Sequence, residues 1–334
     1  MNSWHDKNST GKTNENTMSY QEKINKLFEN QSKEWDLLRK NLEGLESARI
    51  REYAFENFLI NVQFNPERIT SSSAKVDKDS INKRACFLCE TNRPVEQKSV
   101  LYLDKYEFLC NPFPIFRKHF TLSYLKHTPQ KIENYFSDFL QISQDLPELI
   151  VFYNAPNCGA SAPDHLHFQA GNFGLMPITE EIRSLEEHYG KVIPGTEEIK
   201  VTGIDDGLRR FLFLESDKRE NLSEVFQMIY DFCSEINGGK EPMMNILSTY
   251  TGQWQVYVFL REKHRPWQFF EEGRENILLS PASVDYGGTM ITPLEKDFEK
   301  IRKQDIEDIF QQVSLSKDKF RSLMEVLNQK IERK

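Results

Sequence analysis

The order strand, strand, helix, strand, strand occurs twice along the chain, and this repetition constrains the fold more than any other feature. The first copy lies between residues 100 and 170, and the second lies between about 197 and 261. In both copies apolar residues alternate in the strands and recur at helical steps in the segment between them. The sequence therefore predicts an α+β protein made of two repeats, each an antiparallel sheet with packed helices.

The rest of the chain completes the predicted organisation. Residues 1–18 are predicted to be a disordered polar leader, 19–195 a catalytic N-terminal half and 196–334 a degenerate C-terminal half. The predicted strands are 58–64, 100–103, 106–111, 120–125, 149–153, 164–170, 197–203, 209–215, 243–250 and 254–261, and the predicted helices are 19–48, 129–144, 179–189, 221–236 and 304–332.

Charge and composition narrow the class of function. The formal net charge of -8 argues against a general nucleic-acid binder, because such proteins carry a basic excess. No stretch has the roughly 18 to 20 consecutive apolar residues of a membrane span, and the N-terminus lacks the apolar core of a signal peptide. We therefore expect a cytoplasmic enzyme that acts on a small molecule and has neither nucleic-acid nor membrane partners.

The segment Asp164-His-Leu-His-Phe-Gln169 is the strongest candidate for a reactive site. On a strand His165, His167 and Gln169 would share one face, while the residues between them would point into the core. A half-buried strand with polar residues facing solvent is the alternative, but it gives no reason for two imidazoles in a chain with seven histidines. The small residues Gly159-Ala-Ser161 just before it offer backbone N–H groups suited to phosphate oxygens.

These residue types suit transfer of a nucleotidyl group. A neutral imidazole can attack the α-phosphorus of a nucleotide, which divides one difficult displacement into two easier ones. The attacking ring needs its second nitrogen held by an acceptor, and the backbone carbonyl of His165 could hold that of His167. Gln169 can donate to a phosphate oxygen without acting as a base, whereas a third histidine would favour hydrolysis.

The run GASAPDHLHFQ, with CFLC upstream, resembles the transferase branch of the histidine-triad superfamily. That branch includes galactose-1-phosphate uridylyltransferases, diadenosine tetraphosphate phosphorylases and GDP-L-galactose phosphorylases. The resemblance extends over about residues 55–175 and implies two histidine-triad-like repeats and possible homodimers. Uridylyltransferases carry proline between the two histidines, and this chain has Leu166 there, which favours a phosphorylase.

The resemblance also implies roles for individual residues. His167 would be the nucleophile, and Gln169 would orient the α-phosphate or the intermediate. Ser161 and Asn154, together with the backbone at Gly159, would contact phosphates.

Three residues upstream of the CFLC run are implied as further contacts to the substrate phosphates. The Asn65-Pro66 segment with Arg68 resembles the part of uridylyltransferases that helps to hold these phosphates, and Lys75 is a weaker candidate of the same kind.

Cys86 and Cys89 have the spacing of a zinc knuckle, but they supply only two of the four ligands of a structural zinc site. The resemblance points to His127 and His165 as the other two, with His119 as a competitor for His127. The alternative is a buried pair of free thiols. A structural Zn²⁺ would anchor His165 and so the strand that presents His167.

A basic cluster, Arg261-Glu-Lys-His-Arg265, follows the last predicted strand of the second copy. It is either a solvated turn or, through Arg261 and Lys263, a contribution of the second half to phosphate or sugar recognition.

The leading hypothesis is an enzyme that cleaves a nucleoside-diphosphate sugar or a dinucleoside polyphosphate through a nucleotidyl-His167 intermediate. Phosphate or a sugar phosphate would be the acceptor. A hydrolase of nucleotide conjugates and a non-catalytic nucleotide-binding protein are the alternatives.

Overall fold

The computed structural model describes residues 18–69, 76–194 and 198–332. These residues form two sheets, and we number the strands by their order along the chain. The smaller sheet has β1 (Arg49–Phe55), β2 (Phe58–Phe64) and β13 (Thr289–Thr292). The larger sheet has β3 (Ser99–Tyr102), β4 (Tyr106–Cys110), β5 (His119–Tyr124), β6 (Leu149–Asn154), β7 (His167–Asn172), β8 (Gly190–Ile193), β9 (Lys200–Asp205), β10 (Arg210–Ser216), β11 (Met244–Tyr250) and β12 (Trp254–Leu260).

The order of strands in the larger sheet confirms the predicted duplication. The order is β3-β4-β5-β7-β6-β11-β12-β10-β9-β8, which is one five-strand pattern followed by the same pattern reversed. We call β3 to β7 the first half and β8 to β12 the second half. Each half is antiparallel, as predicted, and the two halves join edge to edge where β6 pairs with β11 and Asn154 lies opposite Asn245.

Helices connect equivalent strands in the two halves and cover both sides of the sheet. One helix joins β5 to β6 and another joins β10 to β11, so the connections are duplicated along with the strands. The helices are α1 (Tyr20–Glu34), α2 (Asp36–Glu46), α3 (Lys78–Lys83), α4 (Phe136–Asp145), α5 (Ile178–Tyr189), α6 (Arg219–Ile236), α7 (Ser283–Tyr286), α8 (Glu295–Lys300), α9 (Lys303–Val313) and α10 (Lys317–Glu332).

Alternation along the strands divides the core into two layers. Leu166, just before β7, and Phe168 on it enter the layer that α1, α4, α6 and α10 cover. The opposite side of the sheet faces β2, β13, α5 and α9, and it carries Phe152 in the first half and Phe259 in the second. His167 and Gln169 are on this second side, as period-two alternation requires.

Near the site, three of the predicted helices and strands have different bounds in the structure. The predicted helix 19–48 is two helices, because the backbone of Trp35 is extended between them. The predicted helix 129–144 begins only at Phe136, since the preceding backbone bonds to the segment before β7: Gln130 N–H donates to Pro163, and Thr128 accepts from Leu166.

The strand predicted at 164–170 begins at His167, because His165 N–H closes a turn on the carbonyl of Ala162. The second half begins at Gly190, where β8 pairs with β9, ahead of the boundary predicted near residue 195. Residues 1–17 of the predicted leader lie outside the described residues. Among the helices of the described ranges, none combines the length and the apolar character needed to cross a membrane.

Candidate active site

His167 begins β7, and its ring is held in one tautomer. Its Nδ1 lies 2.8 Å from the backbone carbonyl of His165, the acceptor expected from the sequence. A carbonyl oxygen only accepts, so Nδ1 carries the hydrogen and Nε2 keeps its lone pair. Burial lowers the pKa of His167 to about 4, so the ring is neutral at neutral pH. The ring lines a cavity and therefore offers a fixed, unprotonated nitrogen to it.

Gln130 fixes the backbone on which His167 stands. Its Oε1 accepts from the N–H of His167 at 2.8 Å, and its Nε2 donates to the carbonyl of His167 at 3.0 Å. The same Nε2 donates to the carbonyl of Asn154 at 2.9 Å. One fully buried amide thus connects the start of β7 to the end of β6. Gln130 is not predictable from the sequence, because its only local signal is its place after His127 and Pro129.

His119 sets the orientation of Gln169. Its Nδ1 accepts from the N–H of Ile115 at 3.2 Å, so the hydrogen of the neutral ring is on Nε2. Nε2 lies 3.0 Å from Oε1 of Gln169 and donates to it. This leaves the N–H groups of the Gln169 amide for the cavity that Gln169 lines. Burial lowers the pKa of His119 to about 3, so it stays neutral. His119 is therefore not the metal ligand that the sequence left open as an alternative to His127.

The cavity has a volume of about 390 Å³, within the range of small-molecule sites. Polar residues from β5, β6 and β7 line one part of it. The junction between α1 and α2, the loop that contains Cys86 and Cys89, and the segment 264–291 line the rest. The lining residues include Trp35, Leu37, Arg68, Val76, Phe87, Gln97, Asn111, Thr121, Phe152, Asn154, Gly159, Ala160, Ser161, His167, Gln169, His264, Arg265, Ser280, Ala282 and Asp285.

The predicted phosphate loop lies at this cavity. Gly159, Ala160 and Ser161 line it. Gly159 has φ of 95°, and a Cβ there would lie 2.5 Å from Cβ of Ala282. Both the backbone conformation and the lack of space therefore require glycine at this position. Oδ1 of Asn154 accepts from Nδ2 of Asn245 and from the N–H of Ser283, which leaves its amide nitrogen as the polar group it can turn to a ligand.

The upstream candidates have different positions. Arg68 lines the cavity and donates to the carbonyl of Phe113 at 2.6 Å; burial lowers its pKa to about 10, which still leaves a cation at neutral pH. Asn65 is fully buried and donates to the carbonyl of Pro114 at 3.2 Å, and it is not among the described residues that line the cavity. Lys75 lies outside the described residues.

The basic cluster of the second half reaches the cavity through residues other than those predicted. Lys263 is exposed, and Arg261 is buried in hydrogen bonds to protein groups. Neither is among the described residues that line the cavity, but their neighbours His264 and Arg265 are. Arg265 packs over the ring of Phe269 at 4.0 Å and donates to Ser280, which aims this segment at the cavity. Spacing along the loop did not reveal which of its basic residues turn inward.

Cys86, Cys89, His127 and His165 come together beside the cavity, with one ligand atom from each within 4.8 Å of the others. Nδ1 of His165 lies 3.3 Å from Sγ of Cys86 and 3.5 Å from Sγ of Cys89, and Nδ1 of His127 lies 3.4 Å from Sγ of Cys89. Tetrahedral bonds of about 2.3 Å to sulfur and 2.0 Å to nitrogen separate such atoms by about 3.5 Å. The four residues could therefore hold a metal ion, as the spacing of the cysteines and the family resemblance of the histidines indicated.

His165 connects this cluster to the predicted nucleophile. Its Nε2 donates to the carbonyl of Tyr124 at 2.7 Å, so Nδ1 is free to face the thiols, while its own carbonyl holds Nδ1 of His167. Asp164 pairs with Arg84 at 2.7 Å and lies 3.9 Å from Nε2 of His127. His165 of the cluster is therefore only two residues before His167 along the backbone.

Two family models match the sequence. Residues 27–172 match the model described as "Domain of unknown function (DUF4922)", and residues 185–334 match the model described as "GDPGP1-like, C-terminal domain". No curated protein matches the chain significantly.

Solved structures with the same fold include yeast Ap4A phosphorylase Apa2, with a TM-score of 0.57 and 16% identity over 89% of this chain and 96% of that one. The same enzyme in complex with AMP has a TM-score of 0.59 and 14% identity over 89% and 98% of the two chains. Its complex with Ap4A has a TM-score of 0.56 and 14% identity over 89% and 99%. The resemblance indicated by the HLHFQ segment is therefore confirmed: the chain has the fold of this phosphorylase, and its residues 185–334 match the model of a GDPGP1-like C-terminal domain.

Proposed function

We propose that the protein is a nucleotidyltransferase of the phosphorylase type, which cleaves a nucleoside-diphosphate sugar or a dinucleoside polyphosphate. One observation carries the proposal: Nδ1 of His167 is held by the His165 carbonyl, and the unprotonated Nε2 is left for the cavity. A buried imidazole in that state is a nucleophile ready to attack without first losing a proton.

The proposed reaction has two displacements. Nε2 of His167 attacks the α-phosphorus and a P–N bond forms. The bond from phosphorus to the bridging oxygen breaks, and its electron pair stays on the leaving group, a sugar phosphate from a nucleoside-diphosphate sugar or a nucleotide from a dinucleoside polyphosphate. Inorganic phosphate, or a sugar phosphate, then attacks the same phosphorus; a new P–O bond forms, and the P–N bond breaks to return the electron pair to His167.

The groups around His167 would handle the charge of the phosphates. The N–H groups of Gln169, turned inward by His119, would donate to a non-bridging oxygen of the α-phosphate. Asn154, Ser161 and the backbone at Gly159 would contact the neighbouring phosphate oxygens, and Arg68 would supply a positive charge. Preorganised donors of this kind commonly make a large contribution to the stabilisation of a transition state.

The relatives support the phosphorylase reaction and leave the donor to be identified. The C-terminal half matches a domain described as GDPGP1-like, and the solved relatives are an Ap4A phosphorylase, alone and with AMP or Ap4A. A neutral Gln169 in place of a third histidine favours transfer over hydrolysis, and Leu166 between the histidines favours phosphate over a hexose phosphate as acceptor.

We also propose that the cluster Cys86, Cys89, His127 and His165 binds zinc. The donor set of two thiols and two imidazoles is that of structural zinc sites. When bound, the ion would tie together three distant parts of the chain, the loop of Cys86 and Cys89, the segment of His127 and that of His165. Its effect on the reaction would pass through the backbone of His165, which holds the ring of His167.

The test is a panel of α-³²P-labelled nucleoside-diphosphate sugars and dinucleoside polyphosphates, incubated with and without inorganic phosphate. We expect acid-labile label on the wild-type chain, its transfer to phosphate, and no label on His167→Ala. His188→Ala, which changes an exposed histidine on α5, is the matched control and should label as the wild type does.

Each other outcome identifies a different protein. Label that persists on His167→Ala would exclude the proposed nucleophile. Turnover that does not depend on phosphate would indicate a hydrolase. Binding of these nucleotides with neither label nor turnover for any acceptor would indicate a non-catalytic binding protein.

A further inference from the structure

Arg261 at the end of the second half is buried within hydrogen bonds to its own chain. Its Nη1 donates to Oδ1 of Asn245 at 3.0 Å and to the carbonyl of Pro281 at 2.5 Å. Its Nη2 donates to the carbonyls of Lys263 at 3.0 Å and His264 at 2.7 Å. The guanidinium therefore holds together Asn245 on β11, Pro281 and the carbonyls of residues 263–264.

Asn245 continues this network across the seam between the halves. Because Arg261 donates to its Oδ1, its Nδ2 must point the other way. Nδ2 donates to Oδ1 of Asn154 at 2.6 Å and to the carbonyl of Cys158 at 2.8 Å. The two hydrogens of one fully buried amide thus hold the two ends of the turn that enters the phosphate loop.

Ser283 holds Asn154 from a second direction. Its N–H donates to Oδ1 of Asn154 at 2.9 Å. Its hydroxyl has one hydrogen and lies 2.7 Å both from this oxygen and from the carbonyl of Tyr153. With Nδ2 of Asn245, two N–H donors therefore converge on Oδ1 of Asn154. The amide nitrogen of Asn154 is left for the cavity, next to Gly159.

We propose that Asn245, held by Arg261, is a positioning residue for the loop 154–161, which consists of the turn 154–158 and the phosphate loop 159–161. Through Asn245 the second half sets this loop against His167. What the loop binds rests on the proposed function, but how it is held does not. The half that lacks His167 thereby acts on the reaction by positioning this loop, and Arg261 has this role in place of the ligand contact that its sequence suggested.

The sharpest test is Asn245→Asp, which keeps the shape of the side chain and its bond to Arg261 but replaces the donor with an acceptor. The new oxygen would face Oδ1 of Asn154 and the carbonyl of Cys158, so it would repel both. Asn245→Ala is the second variant, because it removes the donor without adding a charge.

Ser248→Ala is the matched control. Ser248 lies on the same strand and is fully buried, and its hydroxyl shares one hydrogen bond of 2.8 Å with Ser143 on α4, on the opposite side of the sheet. It removes a buried hydrogen bond from β11 without touching the loop.

We expect both Asn245 variants to lower the rate constant of His167 labelling at saturating substrate by roughly 10- to 100-fold. The concentration of substrate that gives half-saturation should change less, and Ser248→Ala should label within about twofold of the wild type. Hydrogen exchange of the amides of residues 155–161 should become faster in both Asn245 variants and not in Ser248→Ala.

The proposal is overturned if Asn245→Asp labels and exchanges as the wild type does. It is also overturned if Ser248→Ala slows labelling as much as Asn245→Ala does, because a general loss of stability then explains both. If the wild-type chain takes up no label, the proposed function has failed, and hydrogen exchange alone still decides whether Asn245 positions the loop.

Discussion

On the side of the sheet that faces the cavity, the first half presents polar side chains and the second half presents aromatic rings. Strand β7 carries His167 and Gln169 there, and β12, which has the same place in the second half, carries Tyr257 and Phe259. The ring of Tyr257 lies 4.9 Å from that of Phe213. Strands in the same order thus line a cavity in one half and a packed core in the other.

The difference shows how a duplicated scaffold divides its work. In the second half α9 packs Ile306, Phe310 and Val313 onto the aromatic side of the sheet, and these residues form one apolar cluster with it. In the first half the corresponding side of β7 lines the cavity with His167 and Gln169. The topology supplies two equivalent positions, and the side chains decide which of them is a site.

Truncation of an aromatic ring in the second half should have the largest effect on stability. Phe259 lies 4.9 Å from Phe211 and 5.1 Å from Tyr286 and is fully buried, so Phe259→Ala should lower the free energy of unfolding by about 3–5 kcal/mol. Urea denaturation measures the loss. Labelling per folded molecule should stay near the wild-type value, and a loss of labelling larger than the loss of folded chain would contradict the division between the halves.

Gln169→Ala, on the equivalent side of the first half, should show the reverse. Gln169 is half-buried at the cavity, so the free energy of unfolding should change by less than about 1 kcal/mol. The rate constant of His167 labelling should fall by roughly 10² to 10³-fold, as when one donor to a transition-state oxygen is removed. Single-turnover labelling measures it, and a rate within a few-fold of the wild type would exclude Gln169 from the transition state.

The sequence was sufficient for those parts of the fold that follow from local periodicity. Alternating apolar residues located β2 and the strands of both halves except β8, and the repeated order predicted the duplication. The strands β1, β8 and β13 were missed, because β1 and β8 are edge strands with little buried surface and β13 has four residues. The break at Trp35 was missed as well, since no glycine or proline marks it.

For the site, the sequence singled out candidates for reaction and for metal binding, but not the hydrogen bonds that hold them in place. Histidines, cysteines and a small-residue loop are uncommon enough to be noticed in one short segment. Gln130, His119 and Asn245 are ordinary polar residues whose importance depends on which buried atoms meet them across the fold. Such partners lie 37 to 91 residues away, so no local pattern could reveal them.

Loss of the metal cluster should affect the first half alone. Cys89→Ser replaces one thiol, so the purified chain should lose the zinc that the wild type is expected to carry, about one equivalent by elemental analysis. Labelling should fall by roughly 10- to 100-fold without disappearing, because His167 remains and only its support is weakened. Cys233→Ala, a buried cysteine on α6 outside the cluster, should keep the metal. A Cys89→Ser chain with full labelling would separate the cluster from the reaction.

The smallest effect tests the support of Gln169 by His119. His119→Leu keeps an apolar side chain against the rings of Phe116 and Phe152 but removes the donor to Oε1 of Gln169. The amide could then turn, so labelling should fall by about tenfold, less than in Gln169→Ala, where the donor itself is gone. In a double-mutant cycle, His119→Leu should cost almost nothing once Gln169 is alanine, because the two residues act through one hydrogen bond. Additive losses would mean that His119 contributes by another route. Tyr257→Leu supplies the comparison in the second half, where an equivalent change should lower stability and leave labelling per folded molecule intact.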